Sequence, residues 1–233
     1  MKALMLLLAA LPLAASAAVE TTKDIPYRTG ADALPECVLD VKVPQGVTGF
    51  PTVVWFHGGG LVSGKKNFVK IKDDIAQVAV NYRLLKKDGV TEDGEKCIDD
   101  AAAATAWALS HIAEFGGDPK KVFLSGMSAG GYLTMMVGMA PKYLAKYGFS
   151  PNDLAGLAPI SGQATKHFNV RARSGDTDPQ YMPKIDALAP LAWVGKDFPP
   201  IVSICGQPSY EWKCCSEENK LLIASCEDRK SVV

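Results

Sequence analysis

The sequence predicts an α/β fold built on a mostly parallel sheet with helices on both faces. Three observations predict it. Short β-rich apolar runs recur along the chain, helical patterns stand between them, and the runs are continuously apolar rather than alternating, as strands covered on both faces are. Strands are expected at 37–43 (CVLDVKV), 52–57 (TVVWFH), 78–84 (VAVNYRL), 121–126 (KVFLSG), 154–161 (LAGLAPIS) and 200–206 (PIVSICG). The longest helix is expected from about Glu95 to Ala113, alanine-rich and stopped by Phe115-Gly116-Gly117-Asp118-Pro119. A second follows Ser128 directly through AGGYLTMMVGMA, and Pro141 closes it. Residues 161–193 are polar and irregular, longer than most loops, and an insertion of that kind in a compact domain reads as a lid or binding loop.

The chain has 233 residues, 48% hydrophobic and 21% charged, the balance of one globular domain with a full-sized core. Its 25 basic and 25 acidic residues cancel, and no basic stripe interleaved with aromatics gives a footprint for nucleic acid or an anionic membrane. A small-molecule or carbohydrate-linked ligand is expected instead. At the N-terminus, Lys2 precedes an apolar run from Ala3 to Leu13 and then Ala15-Ser16-Ala17, the order of a secretory signal peptide over residues 1–17. The domain proper is therefore expected to occupy 18–233 and to work in the periplasm or outside the cell. The apolar run is too short for a stable span, so no membrane insertion is expected after cleavage.

Six cysteines (Cys37, Cys97, Cys205, Cys214, Cys215 and Cys226) lie beyond that point, where disulfides are permitted, and their spacing leaves any pairing open. Cys205, within PPIVSIC, reads as a small buried hydrophobe, and adjacent Cys214-Cys215 lack the CxxC spacing of a metal or redox site. With no HExxH, no spaced Cys/His set and no nucleotide loop, neither a metal nor a cofactor is expected. The oligomeric state is not legible.

Chemistry is concentrated in two glycine-rich stretches. Gly126-Met127-Ser128-Ala129-Gly130 has the G-x-S-x-G form, and the strand–serine–helix context around it is that of a nucleophile elbow. The glycines leave room for a sharp turn that holds the Ser128 oxygen above the sheet, with the Ala129 N–H pointing into the reacting space. Roughly seventy residues earlier, VVWFHGGGLVSG ends a strand with His57-Gly58-Gly59-Gly60, a loop whose backbone N–H groups approach an oxyanion with no Cβ in the way. Each such donor is worth on the order of 3 kcal/mol in the transition state. A phosphate-binding turn is disfavoured, since neither a GK[ST] ending nor GxGxxG is present.

Together with VAVNYRL, CIDDAAAATAWALSHIAEFGGDPKKVFLSGMSAGGYL and APLAWVGKDFPPIVSICGQ, these stretches resemble the α/β-hydrolase superfamily, in the HGGG-bearing hormone-sensitive-lipase-like and bacterial carboxylesterase group. The resemblance spans most of residues 36–227. It implies a serine ester hydrolase acting on a small-molecule ester or an acylated carbohydrate, with Ser128 as nucleophile and the N–H groups of Gly59, Gly60 and Ala129 as oxyanion donors. It also implies a triad in the order Ser, acid, His. Gln207 stands at the usual early acid position, and counting back from SEENKLLIAS places Glu211 where the family's carboxylate lies. Glu211 is therefore the candidate orienting acid, against the alternative of a solvated residue at a helix entrance.

The base is harder to place. His57 opens the oxyanion loop and in the resembling family supports it. His111, near the end of the alanine-rich helix, reads as a solvated or capping residue. His167, in TKHFNV, matches a histidine common in the family, there to contact substrate or to pack, and it precedes the acid where the fold puts the base after it. No histidine follows Glu211. The chain is thus expected to be truncated, lacking the final helix, strand and general base, and to be nearly inactive, because losing such a base costs a factor on the order of 10⁴ to 10⁶ in kcat. The last six residues, DRKSVV (228–233), match an in-frame translation of a common sequencing adapter, so authentic sequence is expected to end near Cys226 or Glu227. A non-catalytic α/β-hydrolase-fold binding protein is the alternative class, disfavoured because binding has no use for a strained serine turn. Within enzymes, an acetyl or feruloyl esterase and an arylformamidase-like hydrolase share the same chemistry.

Overall fold

The computed structural model describes residues 18–86, 94–195 and 197–227. The expected signal peptide at 1–17 and the tail at 228–233 lie outside the described residues. Six strands form one sheet: β1 (Val19–Pro26), β2 (Val38–Pro44), β3 (Phe50–Phe56), β4 (Ala76–Val80), β5 (Gly117–Met127) and β6 (Gly156–Ile160), in the order β1-β2-β4-β3-β5-β6. β2 is antiparallel to both its neighbours, while β4, β3, β5 and β6 run parallel. The α-helices among the described residues are α1 (Glu95–His111), α2 (Ala129–Met139), α3 (Pro141–Ala145), α4 (Phe168–Arg173) and α5 (Cys215–Glu227).

Register explains the core. Val41, Val78, Val54, Leu124 and Leu157 stand opposite one another across five strands, and Ile201 extends the row through a bridge to Leu157. All six are buried. Fully burying an aliphatic side chain of this size is worth about 1.5–3 kcal/mol, so the row anchors the sheet face on which α2 lies. The approach there is close, since a Cβ at Gly138 of α2 would meet the Leu157 side chain.

Two elements depart from the sequence expectations. β1 carries VETTKDIP, exposed along nearly its whole length, and offers no apolar alternation to reveal it. It is held by pairing to β2 and by a bulge at Asp24, φ 56°, whose N–H donates to Asp40 while Lys66 pairs with both carboxylates. The expected strand at 200–206 is the second departure, forming only two isolated bridges to β6, at Ile201 and Ile204. The hydrogen bonds around it have the parallel pattern: Leu157 N–H to Pro200, Val202 N–H to Leu157, Ile204 N–H to Pro159 and Ser161 N–H to Ile204. One rung is missing because Pro159 has no N–H to donate. Cys205, expected to be buried, is half-exposed at the end of this interrupted edge.

A buried charge cluster fastens the chain after β1 to α1. Asp100, fully buried, accepts from Arg28 Nε at 2.7 Å and from Arg83 Nε and Nη2 at 2.7 and 2.6 Å. The Arg83 N–H donates to it as well. Removing the acid strands the Arg83 guanidinium in the interior and leaves Arg28 only its pair with Asp99 at 2.9 Å. Asp100→Ala is therefore expected to cost about 3–5 kcal/mol, read as a lowered urea midpoint at unchanged slope. A loss below about 1 kcal/mol would show the cluster to be dispensable.

Candidate active site

β5 runs into Ser128 and α2 leaves it, so the serine sits at the carboxyl end of the parallel strands, where open α/β sheets bind ligands. Its backbone has φ 56° and ψ −114°, a conformation non-glycine residues avoid. The Ser128 N–H donates to Ile160 at 2.8 Å and its carbonyl accepts from Tyr132 at 3.0 Å, which holds the turn between β6 and α2. The flanking glycines are required by contact. A Cβ at Gly130 would stand 2.0 Å from the Phe56 carbonyl oxygen, and one at Gly126 would stand 2.5 Å from the Gly130 carbonyl carbon. Ala129 opens α2, so its N–H is among those a helix leaves without an internal partner.

The His57–Gly60 loop lies against this turn: a Cβ at Gly58 would be 3.7 Å from the Ser128 Cβ. Its N–H groups are aimed by the way its carbonyls are tied. His57 Nδ1 lies 2.6 Å from the Gly58 oxygen, while Val62 N–H, Ser63 N–H and Ser63 Oγ all bond the Gly59 oxygen. Asn169 Nδ2 donates to the Gly60 oxygen at 2.6 Å. Because a trans peptide points its N–H opposite its C=O, tying the Gly58 oxygen orients the Gly59 N–H, and tying the Gly59 oxygen orients the Gly60 N–H. Among the described residues, neither of these two N–H groups has an acceptor. Gly59 has φ 107° and Gly60 φ 63°, which only glycine adopts freely.

Each of the three histidines has other partners, and among the described residues none hydrogen-bonds the Ser128 hydroxyl. His57 is buried, stacks on Tyr82 with centroids 4.3 Å apart, and receives the Tyr82 hydroxyl bond on its own carbonyl at 2.8 Å. Burial holds its imidazole below the ordinary value, only partly offset by the Gly58 carbonyl, so Nδ1 is the natural donor of a neutral ring. His167 is also buried and caps α4, its Nδ1 accepting the Asn169 N–H at 3.2 Å. Burial pushes its pKa down to about 3. With Nδ1 accepting, the proton of the neutral ring is on Nε2, leaving no lone pair to take one from a serine. His111 is half-buried at the far end of α1 and pairs with Glu114 at 2.8 Å.

Glu211 stands where the carboxyl ends of β6 and the 200–205 segment meet. Its Oε1 accepts from Ser161 Oγ and from the Gly206 N–H, both at 2.6 Å. Burial raises its pKa, but the bonds from Ser161, Gly206 and Cys215 outweigh this and hold the carboxyl below its usual value. Ser161 directly follows Ile160, the acceptor of the Ser128 N–H, so two residues at the end of β6 connect elbow and acid.

Several supporting residues escaped sequence reasoning. Asn169 bonds Gly60 across 109 positions, and no local pattern signals such a contact. Glu218, buried in α5, accepts the N–H groups of Ala164 and Thr165 and the Thr165 hydroxyl. Asn219 beside it bonds the Gly162 carbonyl. Buried polar positions on one face of SEENKLL were the available clue. The 161–193 segment is itself fastened, through Arg171 to Asp176 at 2.9 Å and Tyr132 to the Leu188 carbonyl at 2.7 Å. It places Phe168 beside Gly60 and, through Tyr181, a line of aromatic rings as far as Trp212.

The family model described as BD-FAE matches residues 39–172, which include both glycine loops. The chain is 31% identical over 152 residues to Esterase cest-33 of Caenorhabditis elegans, covering 58% of this chain and 26% of that protein. Liver carboxylesterase 1 of Oryctolagus cuniculus is 30% identical over 159 residues, 62% of this chain and 28% of that one. The matches thus span about a quarter of the length of these curated relatives. Among solved structures, a truncated carbohydrate esterase from gut microbiota superposes with a TM-score of 0.71 at 17% identity, covering 95% of this chain and 87% of that one. Esterase B of Lactobacillus rhamnosis gives 0.68 at 21% identity, over 92% and 73%. The sheet order, the turn at Ser128 and these similarities agree: the chain has the α/β-hydrolase fold and belongs to the BD-FAE family.

Proposed function

We propose that the protein is an exported serine ester hydrolase of the carboxylesterase kind, acting through an acyl-enzyme on Ser128. The observation that carries this reading is the strained serine facing a glycine loop whose carbonyls are all tied back. In the proposed reaction the Ser128 oxygen attacks the ester carbonyl, and the oxyanion is held by the N–H groups of Gly59, Gly60 and Ala129. The Ser128 proton goes to solvent hydroxide, the leaving alkoxide takes a proton from water and departs as the alcohol, and water then hydrolyses the acyl-enzyme to the free acid and restores the Ser128 hydroxyl. Glu211 is the acid of the triad in this reading, placed to orient a base that none of this chain's three histidines supplies. The esterases named above support ester hydrolysis, and the apolar run at 3–13 with its small residues supports export.

The substrate is a small ester or an acylated carbohydrate, for which the Phe168–Tyr181–Trp212 rings offer a stacking edge. None of the three histidines is the base in this reading, so the chain turns over esters only slowly. Its test is the pH dependence of phosphonylation by a p-nitrophenyl phosphonate, followed by p-nitrophenolate release and peptide mapping. We expect modification at Ser128 at a rate that rises with hydroxide from pH 6 to 9, values bracketing the ordinary imidazole pKa of about 6.5. A plateau above neutrality that disappears in His167→Ala would make His167 the base. Modification elsewhere would remove Ser128 as nucleophile.

A further inference from the structure

The loop that carries Glu211 begins and ends on sulfur. Cys205 closes the extended run beside β6, Cys215 opens α5, and their Sγ atoms lie 3.7 Å apart. Residues 206–214 run out between them. Cys215 is buried, with Asn219 Nδ2 at 3.8 Å from its sulfur, whereas Cys205 is half-exposed. The other described cysteines do not compete: Cys37, Cys97 and Cys226 are buried elsewhere, and among the described residues Cys214 makes no sulfur–sulfur contact.

We propose that Cys205 and Cys215 form a disulfide that ties the start of α5 to the sheet edge and closes the 206–214 loop. The oxidant is a small-molecule or protein disulfide, RSSR. The more accessible Cys205 thiolate attacks one sulfur of RSSR, forming a mixed disulfide and releasing one thiolate, which takes up the Cys205 proton. The Cys215 thiolate then attacks the Cys205 sulfur, the second RS⁻ leaves and takes the other proton, and two electrons have passed from the cysteine pair to RSSR. The sulfurs must close from 3.7 Å to the length of a disulfide bond, about 2.03–2.05 Å. Burial raises both thiols above the ordinary cysteine value, so the exchange is faster in alkaline solution. Closing a loop restricts the unfolded chain, so the oxidised protein melts at a higher temperature than the reduced one.

The full chain, equilibrated with oxidised glutathione at alkaline pH and digested by trypsin, tests this. Cleavage at Lys196, Lys213 and Lys220 isolates Cys205 in peptide 197–213 and Cys214 with Cys215 in 214–220. We expect these two peptides linked, two hydrogen masses below their sum, with fragmentation between Cys214 and Cys215 placing the bond on Cys215. Cys214→Ser should retain the link. Free thiols or glutathione adducts at Cys205 and Cys215 in the wild-type chain would overturn the proposal, as would a bond that maps to Cys214.

Discussion

Ser128→Gly is expected to stabilise the fold while abolishing phosphonylation. The serine is held at φ 56° and ψ −114° by backbone bonds to Ile160 and from Tyr132, bonds that any residue at this position retains. A non-glycine residue in such a conformation costs about 1–3 kcal/mol. Glycine removes that cost and gives back about 0.4–1 kcal/mol through the greater freedom of the unfolded chain. The net expectation is a gain of about 1 kcal/mol in urea denaturation. Ser128→Ala separates the two effects, because alanine loses the hydroxyl and keeps the strain. Both variants should fail to release p-nitrophenolate above background, and only the glycine variant should gain stability. A glycine variant no more stable than the alanine one would show that the turn stores nothing, and the strained-nucleophile reading would lose its physical basis.

What the sequence disclosed follows from how local each requirement is. The parallel strands were legible because burial on both faces demands apolar runs such as TVVWF and VAV. β1 was not, since its side chains are mostly exposed and its backbone pairing leaves no mark on residue type. The 200–206 run was read as a strand from its own composition, whereas its defect belongs to Pro159 on the neighbouring strand. The turn at Ser128 and the His57–Gly60 loop were visible for the opposite reason. Their steric demands fall on glycines a few positions from the residues they serve, at Gly126, Gly130, Gly59 and Gly60. The side chains that hold those loops reach them through space, Asn169 from α4 and Tyr82 from beyond β4, so no spacing rule points to either. The Cys205–Cys215 contact was hidden likewise, because a ten-residue separation matches no redox motif until the edge segment and α5 are folded together.

Gly59→Ala is the variant expected to act most strongly on the proposed reaction without removing the proposed nucleophile. A Cβ there would lie 2.1 Å from the Ser63 carbonyl oxygen, a backbone atom that no rotamer change can move aside, and φ at this position is 107°. The loop must open between Gly59 and Ser63, which breaks the bonds to the Gly59 oxygen and frees the peptide whose N–H belongs to Gly60. Losing one oxyanion donor costs on the order of 10²–10³ in rate, and that is the expected fall in phosphonylation at fixed pH. Alanine at this φ costs about 1–3 kcal/mol as well, so the urea midpoint should fall, and rates are compared at urea-free conditions where each variant is folded. Ser63→Ala supplies the graded comparison: it deletes only the Oγ bond at 3.1 Å and leaves the Val62 and Ser63 N–H groups on the same oxygen. Its rate should fall less than about tenfold, the worth of one neutral hydrogen bond. Asn169→Ala frees instead the Gly60 oxygen, and with it the Leu61 N–H, which is not one of the proposed donors. The order Gly59→Ala far below Ser63→Ala would tie the effect to the peptide that carries the Gly60 N–H. Equal rates in all three variants and the wild type would mean that the developing charge is not borne by this loop.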